Sequence, residues 1–274
     1  SVGAEPRSSA RSVGAEPKSS ARSVRPDHEV SGRPHASASA RKQQSAARWS
    51  SASACSNSGG FFGNELKNAG YDMIIFEGKA DKPVYLMIEN ENVQILDASE
   101  FWGTSVWDTE EGIKAKHGDP LIRVASIGIS GEQGVKFACV VNDMDRAAGR
   151  SGVGTVMGSK NLKAVAVRGT LGVAVDDSHG FMAAAAAGKE VLAGNAVTGE
   201  GLPTFGTQVL MNVINETGAL PTHNHRDVQF EGANNISAEA MAEPRESDGK
   251  PNLVTNQACF GCTIACGRVS TIDR

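Results

Sequence analysis

The chain has 274 residues, 40% hydrophobic, 21% charged and 5% aromatic, with 31 glycines and a formal net charge of -4. This is room for one or two domains with a buried core, and too well mixed for a fibre or a wholly disordered chain. The acidic balance argues against a general nucleic-acid binder, and no run approaches the ~18 apolar residues of a membrane span. The composition reads as a soluble, cytoplasmic, glycine-rich globular protein.

That average joins two unlike pieces. Residues 1–56 carry nine Lys and Arg against four acids, so the rest of the chain is strongly acidic. The chain opens with SVGAEPRSSAR followed at once by SVGAEPKSSAR, a near-duplicate in which Lys18 stands where Arg7 stood. Pro6 and Pro17 interrupt the period, no apolar stripe runs through it, and Trp49 is its one aromatic residue. Such a segment cannot bury enough apolar surface to offset its ordering entropy. Residues 1–54 are therefore expected to form a disordered or non-native leader with no part in function.

From Cys55 the texture changes. Strands are expected at 71–77 (YDMIIFE), 84–88 and 93–96, an antiparallel meander signature, and again at 121–127, 135–141 and 162–167. Residues 105–117 have helical composition and stop at Gly118, with Pro120 beyond. Past Asp176 the balance reverses. Helices are expected at 181–192, at 204–216 (with Val209, Leu210, Val213 and Ile214 on one face and Gly218 as the stop), and at 236–242. The fold class is α+β: a β-rich domain over 55–172, then the start of a mainly helical domain over 173–274.

Chemistry concentrates in three places. Cys259, Cys262 and Cys266 fall within eight residues at C-x2-C-x3-C spacing. Soft anionic thiolates in such an array suit an iron–sulfur cluster. A zinc site would want a fourth Cys or His nearby, and a disulfide framework does not suit five cysteines without a secretory signal. Cys55 and Cys139 are fourth-ligand candidates by count only, so that ligand is expected beyond Arg274. The second place is NDMDRAAGRSGVGTVMGSKNLKAV at 142–165, where Arg146, Arg150, Lys160 and Lys163 accompany Gly149, Gly152, Gly154 and Gly158. Glycine amides and arginine donors can cradle a phosphate, although the spacing matches neither common phosphate loop and a plain glycine-rich turn is the alternative. The third is NSGGFFGNEL at 57–66, by itself an ordinary turn. His223 and His225 in PTHNHRD have no third ligand nearby and read as exposed loop residues.

Together, NSGGFFGNELKNAGYDMIIFEGKADKPVYL, VVNDMDRAAGRSGVGTVMGSKNLKAVAVRGT, GLPTFGTQVLMNVINETGALPTHN and ACFGCTIACGRV resemble the tungsten-dependent aldehyde ferredoxin oxidoreductases over about residues 55–269. The resemblance implies a tungsten (or molybdenum) bis-pterin cofactor on the β-rich domain, with a [4Fe–4S] cluster beside it. It further implies oxidation of a small aldehyde with water to a carboxylic acid, and ferredoxin or an iron–sulfur subunit as electron acceptor. A homo- or hetero-oligomer would be in keeping with it; no nucleic-acid or membrane partner is implied. By residue, it implies that Asn57 and the Ala147 carbonyl hold a magnesium ion between pterin phosphates. Ser58, Gly59, Gly60, Arg146, Gly149, Arg150 and Gly152 would bind the cofactor, and Cys259, Cys262 and Cys266 would bind the cluster.

The chain departs from the family pattern in three ways. GISGE stands at 128–132 where family members have G-P-A-G-E, PRESDGKPNLV at 244–254 is an unusual approach to the cysteines, and the family's initial β structure is replaced by the leader. The family's remaining cluster ligand, later pterin loops and acid/base residues are expected downstream of Arg274, so the catalytic residues are not identified and the polypeptide as given is expected to be inactive. Two alternatives stay open: the catalytic subunit of a tungsten benzoyl-CoA reductase, and an iron–sulfur electron-transfer or structural module without aldehyde chemistry.

Overall fold

A computed structural model describes residues 54–271; the leader expected over 1–54 lies, apart from Ala54, outside the described residues. Residues 54–72 and 79–271 belong to one compact unit, and Met73–Gly78 fall outside it. The strand expected at 71–77 does not form. A β-rich segment becomes a strand only with a hydrogen-bonded neighbour, and none of the described strands pairs with it.

The main unit is built on six strands: β1 (Val84–Glu89), β2 (Asn92–Asp97), β3 (Arg123–Ser126), β4 (Val140–Asn142), β5 (Arg146–Ala148) and β6 (Leu162–Arg168). Their order is β2-β1-β6-β3-β4-β5. β1 and β2 make the expected antiparallel hairpin, with Glu89 opposite Asn92. The simple meander is interrupted, because β6 inserts between β1, to which it runs parallel, and β3, to which it runs antiparallel. Its sequence LKAVAVR explains the position: Leu162 to Val167 are buried without alternation, as in a central strand covered on both faces.

Helix α1 (Phe62–Asn68) lies against β6 and β3. Helix α2 (Val106–His117) supplies Ile113 to a core with Tyr85, Met87, Phe101, Val124, Ala164 and Ala166. α2 forms where expected. Ser105 Oγ accepts the Asp108 amide at 3.1 Å, and Gly118 ends the helix in the left-handed region at φ 66°. The Tyr85 hydroxyl meets His117 Nε2 at 2.9 Å, and burial raises its phenol above the usual tyrosine range.

Two features of the Gly/Arg run differ from the anion cradle expected of it. Lys163 is fully buried, 2.5 Å from Glu132 Oε1 and 3.0 Å from the Thr104 carbonyl, and Glu132 Oε2 accepts the Gly103 amide at 2.9 Å. Lys163 is thus an internal counter-ion that ties residues 103–104 and 132 to β6. In α4 (Val153–Ser159), Gly154 and Gly158 lie one turn apart on one face. A Cβ would stand 2.3 Å from the Cys139 carbonyl oxygen at Gly154 and 2.0 Å from that of Gly131 at Gly158. These glycines let α4 pack directly on backbone, including that of α3 (Ile129–Glu132).

The second half is helical in short pieces. α5 (Ser178–Ala193) is capped by Asp177, which accepts the Gly180 amide at 2.9 Å, and it buries none of its residues. The continuous helix expected over 204–216 is broken into α6 (Leu202–Phe205), a 3-10 stretch (Gly206–Leu210) and α7 (Met211–Glu216). The break is at Gly206, with φ 69° and ψ -170°, where a Cβ would collide with the Arg268 side chain at 2.4 Å. The chain continues through a 3-10 turn (Ala233–Ile236) to α8 (Ala238–Ala242), shorter than the helix expected at 236–242, and ends in the antiparallel pair β7 (Leu253–Gln257) and β8 (Gly267–Ser270). Among the described residues, no helix is long and apolar enough to cross a membrane.

The buried Lys163–Glu132 pair gives a direct test. Lys163→Met should destabilise the fold by about 3–5 kcal/mol in urea unfolding, because it leaves a buried carboxylate unpaired, and Lys163→Met with Glu132→Leu should recover most of that loss.

Candidate functional site

The site is built where residues 55–61 pass the β4–β5 hairpin. At its start, Ser56 Oγ accepts the Arg150 amide at 3.0 Å, and Ser151 Oγ donates to the Cys55 carbonyl at 3.1 Å. Further along, Asn142 at the end of β4 takes hold. Its Oδ1 accepts from Ser58 Oγ at 2.5 Å, while its Nδ2 donates to the Gly59 carbonyl at 2.9 Å and to Asp143 Oδ2 at 2.8 Å. Asp143 Oδ2 also accepts the amides of Phe61 and Phe62 at 2.7 and 3.2 Å. Asn142 is buried, so its partners are the turn and its neighbour rather than solvent.

Gly60 is dictated twice over. Its φ is +94°, and a Cβ would lie 2.3 Å from Asp143 Oδ2 and 3.0 Å from Arg146 Cγ. Behind it, the Arg123 guanidinium stands 4.7 Å over the Phe61 ring and 3.4 Å from Asp143 Oδ1.

The hairpin turn that delivers Arg146 and Ala147 is strained. Asp143 and Met144 are both left-handed, at φ 50° and 63°, the geometry of a tight hairpin that favours Asn-Gly. α2 clamps it: Glu110 Oε2 accepts the Met144 amide at 3.2 Å, and Trp107 Nε1 donates to the Met144 carbonyl at 3.1 Å. Beyond the turn, Arg146 is opposite Asn142 and Ala147 opposite Val141. Arg146 NH2 donates to the Gln257 carbonyl at 3.3 Å, at the end of β7.

β7 and β8 frame the cysteine loop, a hairpin that sequence patterning did not show. All five cysteines are free thiols, and Cys259, Cys262 and Cys266 are each half-buried. The loop is tightly wound, with Gly261 at φ 66°, Ala265 at φ 50°, and the Cys262 amide on the Cys259 carbonyl at 3.1 Å. The Cys266 carbonyl accepts both the amide and the hydroxyl of Thr207, at 3.0 and 3.1 Å. The loop also rests on the glycine turn: the Phe260 amide donates to the Gly60 carbonyl at 3.2 Å, and the Phe61 and Phe260 rings meet edge-on at 6.4 Å. On β8, burial draws the Arg268 guanidinium below the usual arginine range.

Residues separated by some 200 positions therefore meet: Ser58, Gly59 and Gly60, then Arg146, then the loop bearing Cys259. Asn57, Ala147, Gly149 and Arg150 are exposed beside them, and a Cβ at Gly149 would meet nothing within 4 Å. Gly152 has a packing role, since it is left-handed and a Cβ would lie 2.0 Å from the Lys136 carbonyl oxygen. His223 and His225 are exposed, in a left-handed turn where His223 pairs with Asp227 at 2.7 Å. Asn142 and Asp143 lay within the run singled out at 142–165 but were given no role of their own there, and Glu110 and Trp107 escaped sequence reasoning as parts of the site. The polar Asn142-Asp143 pair closing an apolar strand was the one local signal.

The chain is similar to known proteins over most of its length. The family model of the aldehyde ferredoxin oxidoreductase N-terminal domain matches residues 42–169, and that of domains 2 and 3 matches residues 183–274. A tungsten-containing aldehyde ferredoxin oxidoreductase of Pyrococcus abyssi is 52% identical over 217 residues, covering 79% of this chain and 35% of that protein. The corresponding Pyrococcus furiosus protein is 48% identical over 216 residues, covering 79% and 34%. An aliphatic sulfonate oxidoreductase, WOR-like subunit, of Pyrococcus furiosus is 45% identical over 120 residues, covering 39% and 19%. Among solved structures, the active site complex BamBC of benzoyl coenzyme A reductase with 1,5-dienoyl-CoA matches with a TM-score of 0.62 and 31% identity, over 80% of this chain and 34% of that one. The chain thus spans about a third of the length of the relatives it matches.

Asp143→Ala should release the Phe61 and Phe62 amides. Their exchange in hydrogen–deuterium mass spectrometry should quicken by ~10–100-fold, the equivalent of about 1–3 kcal/mol, while peptides from β1 and β2 keep their protection.

Proposed function

Since the chain belongs to the aldehyde ferredoxin oxidoreductase family, we propose that it supplies the cofactor-binding part of a tungsten- or molybdenum-pterin oxidoreductase that converts small aldehydes to carboxylic acids. An aldehyde and a water give the acid, two electrons and two protons; a [4Fe–4S] cluster, when bound, would supply the route for those electrons to ferredoxin or an iron–sulfur subunit. The single observation that carries this reading is the meeting of the glycine turn, the Arg146–Ala147 strand and the cysteine loop at one place. A metal–pterin centre passing electrons to a cluster needs the two held side by side, and the contacts among these three segments are what such an arrangement would require.

In this reading residues 55–172 hold the pterins and residues 173–274 begin the cluster domain. Asn57 and the Ala147 carbonyl offer neutral oxygen to a magnesium ion, as a hard cation between phosphates requires. Ser58, Gly59, Gly60, Gly149 and Arg150 line the pterin seat, which Gly152 supports from behind through its packing on Lys136, with Arg146 between the seat and the cluster side. Cys259, Cys262 and Cys266 offer the soft donors of a cluster. Among the described residues, no group of three His, Cys, Asp or Glu side chains is gathered for a single metal ion. When bound, the pterin-held metal supplies the redox chemistry; the chain's own residues bind and orient it.

A second reading has a specific observation behind it. The benzoyl coenzyme A reductase complex shares the fold at 31% identity, so reduction of an aromatic thioester by the same cofactor set is the competing chemistry.

The full-length enzyme of which this chain is the cofactor-binding part, purified anaerobically from tungstate-supplied cells, should contain tungsten, pterin, iron and acid-labile sulfide, and should reduce viologen with aldehydes but not oxidise a dienoyl-CoA. Absence of pterin from protein that retains iron would leave the iron–sulfur module instead. Arg150→Ala should lower bound tungsten and pterin together by several-fold and leave iron unchanged.

A further inference from the structure

Gly59 behaves differently from its neighbour Gly60. It is not among the residues with positive φ, so its backbone conformation does not call for glycine. What meets it in space is a single side-chain atom: among the described residues other than its chain neighbours, the only atom within 4 Å of a Cβ built there is Cys259 Sγ, at 2.7 Å, so a methyl group would displace that thiol. Around that contact the two loops are fastened by the Phe260 amide on the Gly60 carbonyl, by the Phe61–Phe260 edge contact and by Arg146 on the Gln257 carbonyl. The sulfur is therefore brought against Gly59 by backbone and ring contacts on both sides. The chain at Gly59 is in turn fixed from below by Asn142.

We propose that Gly59 is a positioning residue for Cys259: the missing side chain forms the seat of the Cys259 thiol, so that the pterin-side turn sets where the first cluster ligand stands. This rests on the function proposed above, in which the same turn lines the pterin seat and Cys259 ligates the cluster. It adds that the turn holds both sites in register. A methyl group at Gly59 would move a cluster ligand while leaving the turn's own backbone groups in place to meet the pterin.

The test compares wild type, Gly59→Ala and Gly63→Ala holoenzyme, purified anaerobically. Gly63 is the control, because it lies in α1 where a Cβ meets nothing within 4 Å. Iron, sulfide, tungsten and pterin are assayed, with electron paramagnetic resonance of the reduced cluster. Gly59→Ala should lose iron and sulfide by several-fold or show an altered cluster signal, and Gly63→Ala should match wild type. An unaltered cluster in Gly59→Ala, or loss of pterin beside an unaltered cluster, overturns the proposal.

A second arm uses the cluster-free full chain and iodoacetamide, with Cys259 and Cys262 quantified by peptide mass spectrometry. Gly59→Ala should change the alkylation rate of Cys259 several-fold and leave Cys262 unchanged; equal rates with wild type overturn the proposal. If wild type holds no iron or sulfide, the functional reading fails and this arm still decides the seat. If Gly59→Ala does not fold, Gly59→Ala with Cys259→Ala decides: folding of the double variant locates the clash at the sulfur, and failure of both overturns it.

Discussion

The carboxamide of Asn142 is the contact on which the rest of the site depends. It sits at the end of β4, buried, and uses its acceptor and both donors: Ser58 on one side, the Gly59 carbonyl and Asp143 on the other. No other neutral side chain of that size presents an acceptor and two donors. Through it, a flexible serine–glycine segment inherits the rigidity of a sheet strand. Everything further out, from the Phe260 amide on Gly60 to the placement of Cys259, is referenced to that turn. A site on loops is as precise as the regular structure bracing it, and here the central brace is the Asn142 amide at the end of a three-residue strand, with the Asp143 carboxylate beside it.

The glycines divide into two kinds once their surroundings are known. Gly154 and Gly158 allow helix-to-backbone contact in the interior, and Gly152 joins them by its approach to Lys136. Gly59 and Gly60 act at the site, one by the space it leaves and the other by its left-handed backbone. The G-x-G-x3-G spacing of 152–158 thus belongs to packing, which is why it fits neither common phosphate loop. The cations divide in the same way. Arg146 reaches the cysteine hairpin from the sheet, whereas Lys163 serves Glu132 in the interior.

What could be read in advance follows from how local each signal is. α2 was legible because its cap, its stop and its composition lie within fourteen residues, β1 and β6 because their apolar runs decide their own burial, and β2, largely exposed, because a short polar turn pairs it with β1. The 204–216 helix was misjudged because its break depends on Arg268, sixty residues away. The 71–77 strand was misjudged because strand propensity says nothing about whether a neighbour exists to complete it. At the site, the residue types carrying chemistry were legible, since glycines, arginines and cysteines advertise themselves. The residues holding them in place were not. Glu110 looks like any helical acid and Trp107 like any helical aromatic, until the β4–β5 turn arrives against them.

That turn shows why the holding residues are needed at all. Two successive non-glycine residues in the left-handed region cost roughly 1–2 kcal/mol apiece. Asp tolerates the conformation by local hydrogen bonding, but Met has no such device. The hairpin reaches this geometry because Met144 is gripped at both backbone groups, by a carboxylate at its amide and an indole at its carbonyl. A hydrogen bond to a charged group contributes about 1.5–3 kcal/mol, comparable with the strain it offsets. Asp143 cannot be exchanged for glycine to relieve that strain, because its carboxylate holds the amides of Phe61 and Phe62 and meets Arg123. The strained conformation is thus tolerated so that one residue can serve as turn and anchor together, which places Arg146 and the glycine turn on opposite sides of a single fixed point.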